Sequence, residues 1–315
     1  MKISFVGCGK VGATIAYTAC LRGLASRIVL IDACAEKARG EALDILQCRA
    51  FMPQADIVAG SFADSADSDI VVISAGIPRK ADEPRVMLLS RNAALLANLV
   101  RQAVAYSPNS ILLIVTNPLD VMTELARQVS GFPPARVIGM GTVLDTARYR
   151  SYIAEAFGVD SRDIDAYIVG EHGETMVPLT ANIRVKGIPL RLLAADADKR
   201  IARIADEVIA ASGQVIALKG GTVFAPAVSA CAILEALVRN SRQILPVCTY
   251  HEQYGAAFSL PTLIGREGAY QVLPLDLSAV EEEALARSIK SIQASCRQLA
   301  EQAGSPPARV NDPGL

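Results

Sequence analysis

The sequence has no excess of charge of either sign, no C-x-x-C cysteine pair, only two histidines and no long uninterrupted apolar run. Each absence removes a class of function. A formal net charge of -1 offers no basic surface for a nucleic-acid backbone or an anionic membrane, so neither partner is expected. The seven cysteines, at 8, 20, 34, 48, 231, 248 and 296, are scattered. That argues against a structural zinc site, fits reduced thiols in a cytosol and leads us to expect no metal. Apolar residues follow Lys2 as they would in a secretory leader, but Gly7, Gly9, Lys10 and Gly12 interrupt them. No stretch is long enough to span a bilayer. The expected location is cytoplasmic. No internal repeat or low-complexity tract is found.

What is present is a long, apolar chain. Its 315 residues suggest about two domains, and a hydrophobic content of 51% supports a large core. The most informative stretch is Ile3-Ser4-Phe5-Val6-Gly7-Cys8-Gly9-Lys10-Val11-Gly12, followed by Ile28-Val29-Leu30-Ile31-Asp32. An apolar run enters a glycine turn, a helical stretch leaves it, and a second apolar run ends on an acid. This is the order of a dinucleotide site. Gly7 permits the tight turn and Gly9 the approach of a pyrophosphate. Gly12 permits close packing of a helix whose positive end faces the phosphates. Asp32 accepts from ribose hydroxyls and repels a 2′-phosphate, which favours NAD over NADP. Cys8, inside the turn, reads as a small filler.

Apolar runs at 2–6, 27–31, 56–59, 69–73 and 110–115, with a further short one at 136–138, alternate with helical patterns at 10–22, 36–50 and 86–106. Such alternation predicts an α/β fold with a doubly wound parallel sheet, helices on both faces and ligands beyond the carboxyl ends of the strands. The second half predicts an α+β domain packed on the first. It has helices at 144–157, 196–218, 223–239 and 278–303, and strands at 243–249, 257–264 and 269–273.

Few residues are placed to do chemistry. His172 lies in Gly170-Glu171-His172-Gly173 at the end of an apolar strand. Histidine is the side chain most easily poised as an acid/base near neutral pH; a turn histidine making a local hydrogen bond is the competing reading. His251 has no such setting and is expected at the surface or an interface. Asp145 and Arg148 share one face of a helix. They are either a weak surface ion pair or, given Val143, Leu144, Ala147 and Tyr149 around them, a partly buried pair whose guanidinium fits a carboxylate. The polar segment from Ala75 to Arg85 follows a strand and reads as a lid over an anion or as a solvated loop.

Four motifs in this order and spacing resemble the NAD-dependent lactate/malate dehydrogenase family. They are Gly7-x-Gly9-x-x-Gly12, Thr116-Asn117-Pro118-Leu119-Asp120, Leu144-Asp145-Thr146-Ala147-Arg148 and Gly170-Glu171-His172-Gly173, and the resemblance spans residues 1–303. It implies a Rossmann NAD-binding domain over 1–142, an α+β catalytic domain over 143–303, a flexible tail over 304–315, and a homo-oligomer, dimer or tetramer. It implies that His172 exchanges the hydroxyl proton of a 2-hydroxy acid while Asp145 favours its charged form. It implies that Arg148 clamps the C1 carboxylate, that Arg85 polarises the C2 carbonyl and that Asn117 bonds the substrate oxygen. Lys10, Val11, Ala75 and Gly76 are implied at the cofactor, as are Asn92, Thr116 and Asn117.

The same resemblance bears on the substrate. Arg79 stands where lactate enzymes usually carry glutamine and malate enzymes arginine; a desolvated cation there selects a second carboxylate over a methyl. Ala225-Pro226-Ala227 resembles malate enzymes. Gly139-Met140-Gly141-Thr142 and Lys219-Gly220-Gly221-Thr222 resemble lactate enzymes, with Thr222 implied near the distal end of the substrate. The pattern is similar to malate dehydrogenases built on a lactate-type scaffold. Departures are Lys80-Ala81-Asp82 for the usual Lys-Pro-Gly, the acids Asp82 and Glu83, Pro84 before Arg85, and Glu174 for the usual aspartate. Arg150 and Asp165 stand where sugar-bisphosphate-activated lactate enzymes pair arginine with histidine, so no such activation is expected. The alternatives are an L-lactate or broader 2-hydroxy acid dehydrogenase and, in a different class, a non-catalytic NAD-binding module.

Overall fold

A computed structural model describes residues 1–77 and 85–303, and for 85, 86 and 303 the backbone alone. Arg79, the segment to Pro84 and the tail from residue 304 lie outside the described residues, as does the side chain of Arg85. The first half alternates as the sequence predicts. It runs β1 (Lys2–Val6), α1 (Lys10–Leu21), β2 (Arg27–Ile31), α2 (Ala35–Gln47), β3 (Asp56–Ala59), β4 (Ile70–Ile73), α3 (Arg85–Tyr106), β5 (Ile111–Ile114), α4 (Leu119–Ser130) and β6 (Val137–Gly139). These six strands pair in parallel in the order β6-β5-β4-β1-β2-β3. The strand order reverses beside β1, which opens a crevice at the carboxyl ends of β1 and β4.

Both faces of the sheet are covered, and for that reason its strands read as unbroken apolar runs rather than alternating ones. Ile3, Phe5, Ile28, Leu30 and Val72 pack with Ile15 and Ala19 of α1 on one side. Val29, Val71, Ile73 and Leu112 pack with Leu96, Val100 and Met122 of α3 and α4 on the other.

Two features differ from expectation. The helix α4 was not among the predicted segments, although its limits are marked by Pro118 before it and Gly131, with φ of 67°, after it. The later strands also do not form a separate layer. After α5 (Val143–Phe157) come five two-residue strands: β7 (Ile164–Asp165), β8 (Ile168–Val169), β9 (Val177–Pro178), β10 (Arg184–Val185) and β11 (Ile188–Pro189). Then follow α6 (Ala197–Lys219), α7 (Phe224–Arg239), β12 (Gln243–His251), β13 (Ala256–Gly265), β14 (Gly268–Val272) and α8 (Ala279–Ala303). The antiparallel β12, β13 and β14 continue the first sheet beyond β6, making nine strands. The hairpin covers what would otherwise be the open edge of β6. α7 packs on α1, with Ala230, Cys231 and Leu234 in the same core as Ile15.

His251 departs from its expected surface position as well. It closes β12 on the inward side and is 8% exposed. Its Nε2 donates to the Phe258 carbonyl at 3.1 Å, and its ring lies 4.3 Å from that of Phe258. Burial lowers its pKa.

Candidate active site

The glycine turn sits at the crevice. Gly7 has φ of 98°, and a Cβ there would come within 2.5 Å of the Ala75 nitrogen at the exit of β4. A Cβ on Gly12 would lie 1.9 Å from the Gly7 carbonyl oxygen, so only glycine lets α1 start this close to β1. Gly9 faces open space, with nothing within 4 Å of a would-be Cβ. No side chain caps α1 at Gly9, which leaves the first N–H groups of the helix, from Lys10 on, for a ligand. Val11 is half-buried against the core below.

Asp32 ends β2 beside the turn. Its carboxylate accepts from the Cys8 N–H at 2.7 Å and the Cys34 N–H at 3.1 Å. With 16% of its side chain exposed, it borders a cleft of about 1400 Å³ together with Gly7, Gly9, Gly60, Ala75 and Gly76. A carboxylate, an uncapped helix start and an open glycine along one long cleft fit the ribose and pyrophosphate of a dinucleotide.

The neighbouring loops are held by side chains. Thr116 Oγ1 donates to the Ala75 carbonyl at 2.8 Å. Asn92 is buried and engages Ile77 on both sides: its Oδ1 accepts from the Ile77 N–H at 2.7 Å and its Nδ2 donates to the Ile77 carbonyl at 3.2 Å. Asn92 therefore fixes the exit of β4 next to the cleft. Asn117 is exposed and joins Pro118 through a cis peptide at the carboxyl end of β5. Thr222 borders a different cleft, of about 570 Å³, with Lys10 and Lys219.

The second half brings three predicted residues together. Asp145, fully buried on α5, places Oδ2 at 2.6 Å from His172 Nδ1 and Oδ1 at 3.1 Å from Arg148 Nη1. Of the two readings of the Asp145–Arg148 pair, the buried one holds: the Arg148 side chain is only 10% exposed. The Asp145 carboxyl oxygen accepts from Nδ1–H, so Nε2 is left as the ring position that can exchange a proton with a ligand. Burial pulls the His172 pKa down, but the charge and hydrogen bond of Asp145, with the charge of Asp120, outweigh it, and the net shift is upward.

Two further residues complete the cluster without having been singled out for a role. Ser212, on α6, accepts a second hydrogen bond from Arg148 Nη1 at 2.7 Å. Asp120, in the first turn of α4, accepts from the His172 backbone N–H at 2.8 Å. Asp120 stands in the quoted Asn117-Pro118 motif, so its position carried a signal; Ser212 carried none. Among the described residues no group of three or more His, Cys, Asp or Glu side chains could hold a metal ion, and no helix is long and apolar enough to cross a membrane.

Comparison with known proteins identifies the family. Residues 1–139 match the model of the lactate/malate dehydrogenase NAD-binding domain, and residues 142–303 that of the lactate/malate dehydrogenase alpha/beta C-terminal domain. An L-lactate dehydrogenase of Clostridium perfringens is 38% identical over 93% of this chain and 95% of its own length. A malate dehydrogenase of Chlorobium phaeovibrioides is 42% identical over 95% of this chain and 99% of its own. The solved malate dehydrogenase of Salinibacter ruber superposes with a TM-score of 0.89 at 34% identity, covering 96% of this chain and 99% of that one. The chain belongs to the lactate/malate dehydrogenase family of NAD-dependent 2-hydroxy acid dehydrogenases, and its cofactor is NAD.

Proposed function

We propose that the chain is an NAD-dependent malate dehydrogenase, interconverting malate and oxaloacetate. The observation that carries the 2-hydroxy acid chemistry is the single buried carboxylate of Asp145, which bridges a proton-exchanging histidine and a desolvated guanidinium. Residues 1–142 hold the cofactor and lend Arg85 and Asn117 to the reaction, and 143–303 carry Asp145, Arg148 and His172. Gly7, Gly9, Lys10, Val11 and Gly12 hold the pyrophosphate and Asp32 the ribose, with Ala75, Gly76, Thr116 and Asn117 along the cleft. When bound, the cofactor supplies or accepts the hydride at C2. His172 Nε2 gives a proton to the C2 oxygen in reduction and takes it back in oxidation. Arg148 presents its fork to the C1 carboxylate. Asn117 and Arg85 stabilise charge on the C2 oxygen; the resemblance assigns Thr222 to the distal end of the substrate, although it borders the second cleft beside Lys10 and Lys219.

Arg79 supports malate over lactate. A cation desolvated on substrate binding would pair with a second carboxylate and be left unpaired over a methyl, a difference of several kcal/mol. The test is the ratio of kcat/KM for oxaloacetate to that for pyruvate. It is expected to favour oxaloacetate by roughly 10²-fold or more, and Arg79→Gln is expected to move it toward pyruvate by a similar factor. A wild-type ratio favouring pyruvate makes the chain a lactate dehydrogenase, the reading favoured by the lactate-like Lys219-Gly220-Gly221-Thr222 and by relatives of that name. An unchanged ratio in Arg79→Gln removes Arg79 as the selector.

The working form in this reading is a cytoplasmic homo-oligomer. The sequence resemblance implies the oligomer, and the exposed side chains of Leu218 and Phe224, 87% and 69% accessible at the end of α6 and the start of α7, are offered as part of its contact. Sedimentation equilibrium is expected to give two or four times the chain mass of 33.3 kDa; a single-chain mass overturns this part of the proposal.

A further inference from the structure

His172 sits in a turn fixed from four elements. Gly170 exchanges backbone hydrogen bonds with Ser259 of β13 at 2.9 and 3.0 Å. The Glu171 N–H donates to Ser288 Oγ of α8 at 2.9 Å. Asp145 of α5 takes the ring, and Asp120 of α4 takes the backbone N–H. Of these four anchors Asp120 alone comes from the helix that starts at the Asn117 loop.

The surroundings of Asp120 are costly for a simple clamp. It is 3% exposed, and its Oδ1 makes no hydrogen bond among the described residues. A buried carboxylate served by one backbone N–H and a weakly donating thiol gives up most of its hydration for little in return. A neutral amide oxygen would hold the same N–H without that loss. The charge therefore needs a cation, and the one acting on it most strongly is His172.

We propose that Asp120 is a positioning residue for His172: it ties the histidine turn to the Asn117 loop and, as a second buried carboxylate, stabilises the protonated ring alongside Asp145. This rests on the reading of His172 as the acid/base.

The electrostatic setting supports the geometry. Burial pushes the Asp120 carboxyl up to about 6, against the charge of His172, its N–H and the thiol of Cys248 on β12. Glu171, in the same turn, pushes it further up. Arg148 on α5 opposes the charged form of His172. Cys248 and Cys296 of α8 face Asp120 as thiols held neutral by burial, and Glu124 of α4 is paired with Arg127. Asp120 and His172 titrate as a coupled set.

The test uses the full chain with Asp120→Asn, which keeps an oxygen for the His172 N–H and removes the charge. With only two histidines in the sequence, NMR of ¹³C-labelled imidazole rings follows both, and the signal lost in His172→Asn assigns them. The His172 midpoint is expected to fall by roughly one pH unit in Asp120→Asn while His251 stays put. Superimposable His172 curves overturn the proposal. Should Asp120→Asn give no cooperative thermal melt, Cys248→Ala removes the thiol that favours the Asp120 anion. It is expected to move the His172 midpoint in the same direction by less, and an unmoved midpoint again overturns the proposal. In the kinetic arm, the alkaline limb of kcat/KM for 2-oxo acid reduction moves with the NMR midpoint, and NADH affinity stays as in the wild type. A moved midpoint in a chain that reduces no 2-oxo acid keeps the Asp120 role and removes the acid/base reading. An active wild type with an unmoved midpoint in the variant removes only the Asp120 role.

Discussion

Replacing His172 with asparagine is expected to lower kcat for 2-oxo acid reduction by roughly 10²–10⁴-fold while NADH binds as before. Asparagine has the size to remain in the turn, and its amide can face Asp145, but it cannot exchange a proton. Asp145 keeps its 3.1 Å contact with Arg148, so the carboxylate is not stranded and the fold is expected to stay intact. The pH profile sharpens the test. Reduction needs the protonated ring, and the upward shift of its pKa keeps that form populated near neutrality. In the wild type, kcat/KM for reduction is therefore level at lower pH and falls as pH rises through the raised pKa. Oxidation of the hydroxy acid needs the neutral ring and rises over the same interval. Both limbs are expected to vanish in His172→Asn. A variant that keeps its limbs, or loses less than tenfold in kcat, removes His172 from the mechanism.

Arg148→Lys is expected to cost about 2–5 kcal/mol of substrate carboxylate binding, or roughly 30- to 4000-fold in kcat/KM. The reason lies in how the guanidinium is held. Its Nη1 is committed to Asp145 at 3.1 Å and Ser212 at 2.7 Å, which aims the remaining N–H groups outward as a rigid donor set. Lysine keeps the charge but brings a single compact ammonium in place of the planar fork. A carboxylate gripped in both ground and transition states puts most of the loss into KM. An exposed ion pair would be worth no more than about 1 kcal/mol, so a change under about fivefold marks Arg148 as structural.

Much of this could be read from the sequence because the relevant signals are local. β1, the glycine turn, α1 and Asp32 are contiguous, and full burial of both sheet faces makes their strands plain apolar runs. Asp145 and Arg148 are three residues apart, so helical geometry alone brings them together. The rest depends on contacts that span long stretches of chain. Ser212 is 64 residues from Arg148 and Asp120 is 52 from His172, and neither spacing has a local signature. The pairing of β12 with β6 joins Cys248 to Gly139, a choice made by which edge of the sheet is open. His251 was misplaced for a similar reason: its burial follows from the β12–β13 hairpin, where it faces Ala256, and not from its neighbours in sequence.

The nine-stranded sheet also has a mechanical consequence. Strands run without a gap from β3, in the nucleotide-binding half, to β14, at the far edge. The cores of α1 and α7 are joined across the same plate. The two halves therefore cannot part like jaws: rotating one against the other would have to tear β12 from β6 and α7 from α1. What the plate holds in a fixed relation is the cofactor crevice at one end and the β12–β13 hairpin, which anchors the His172 turn through Ser259, at the other.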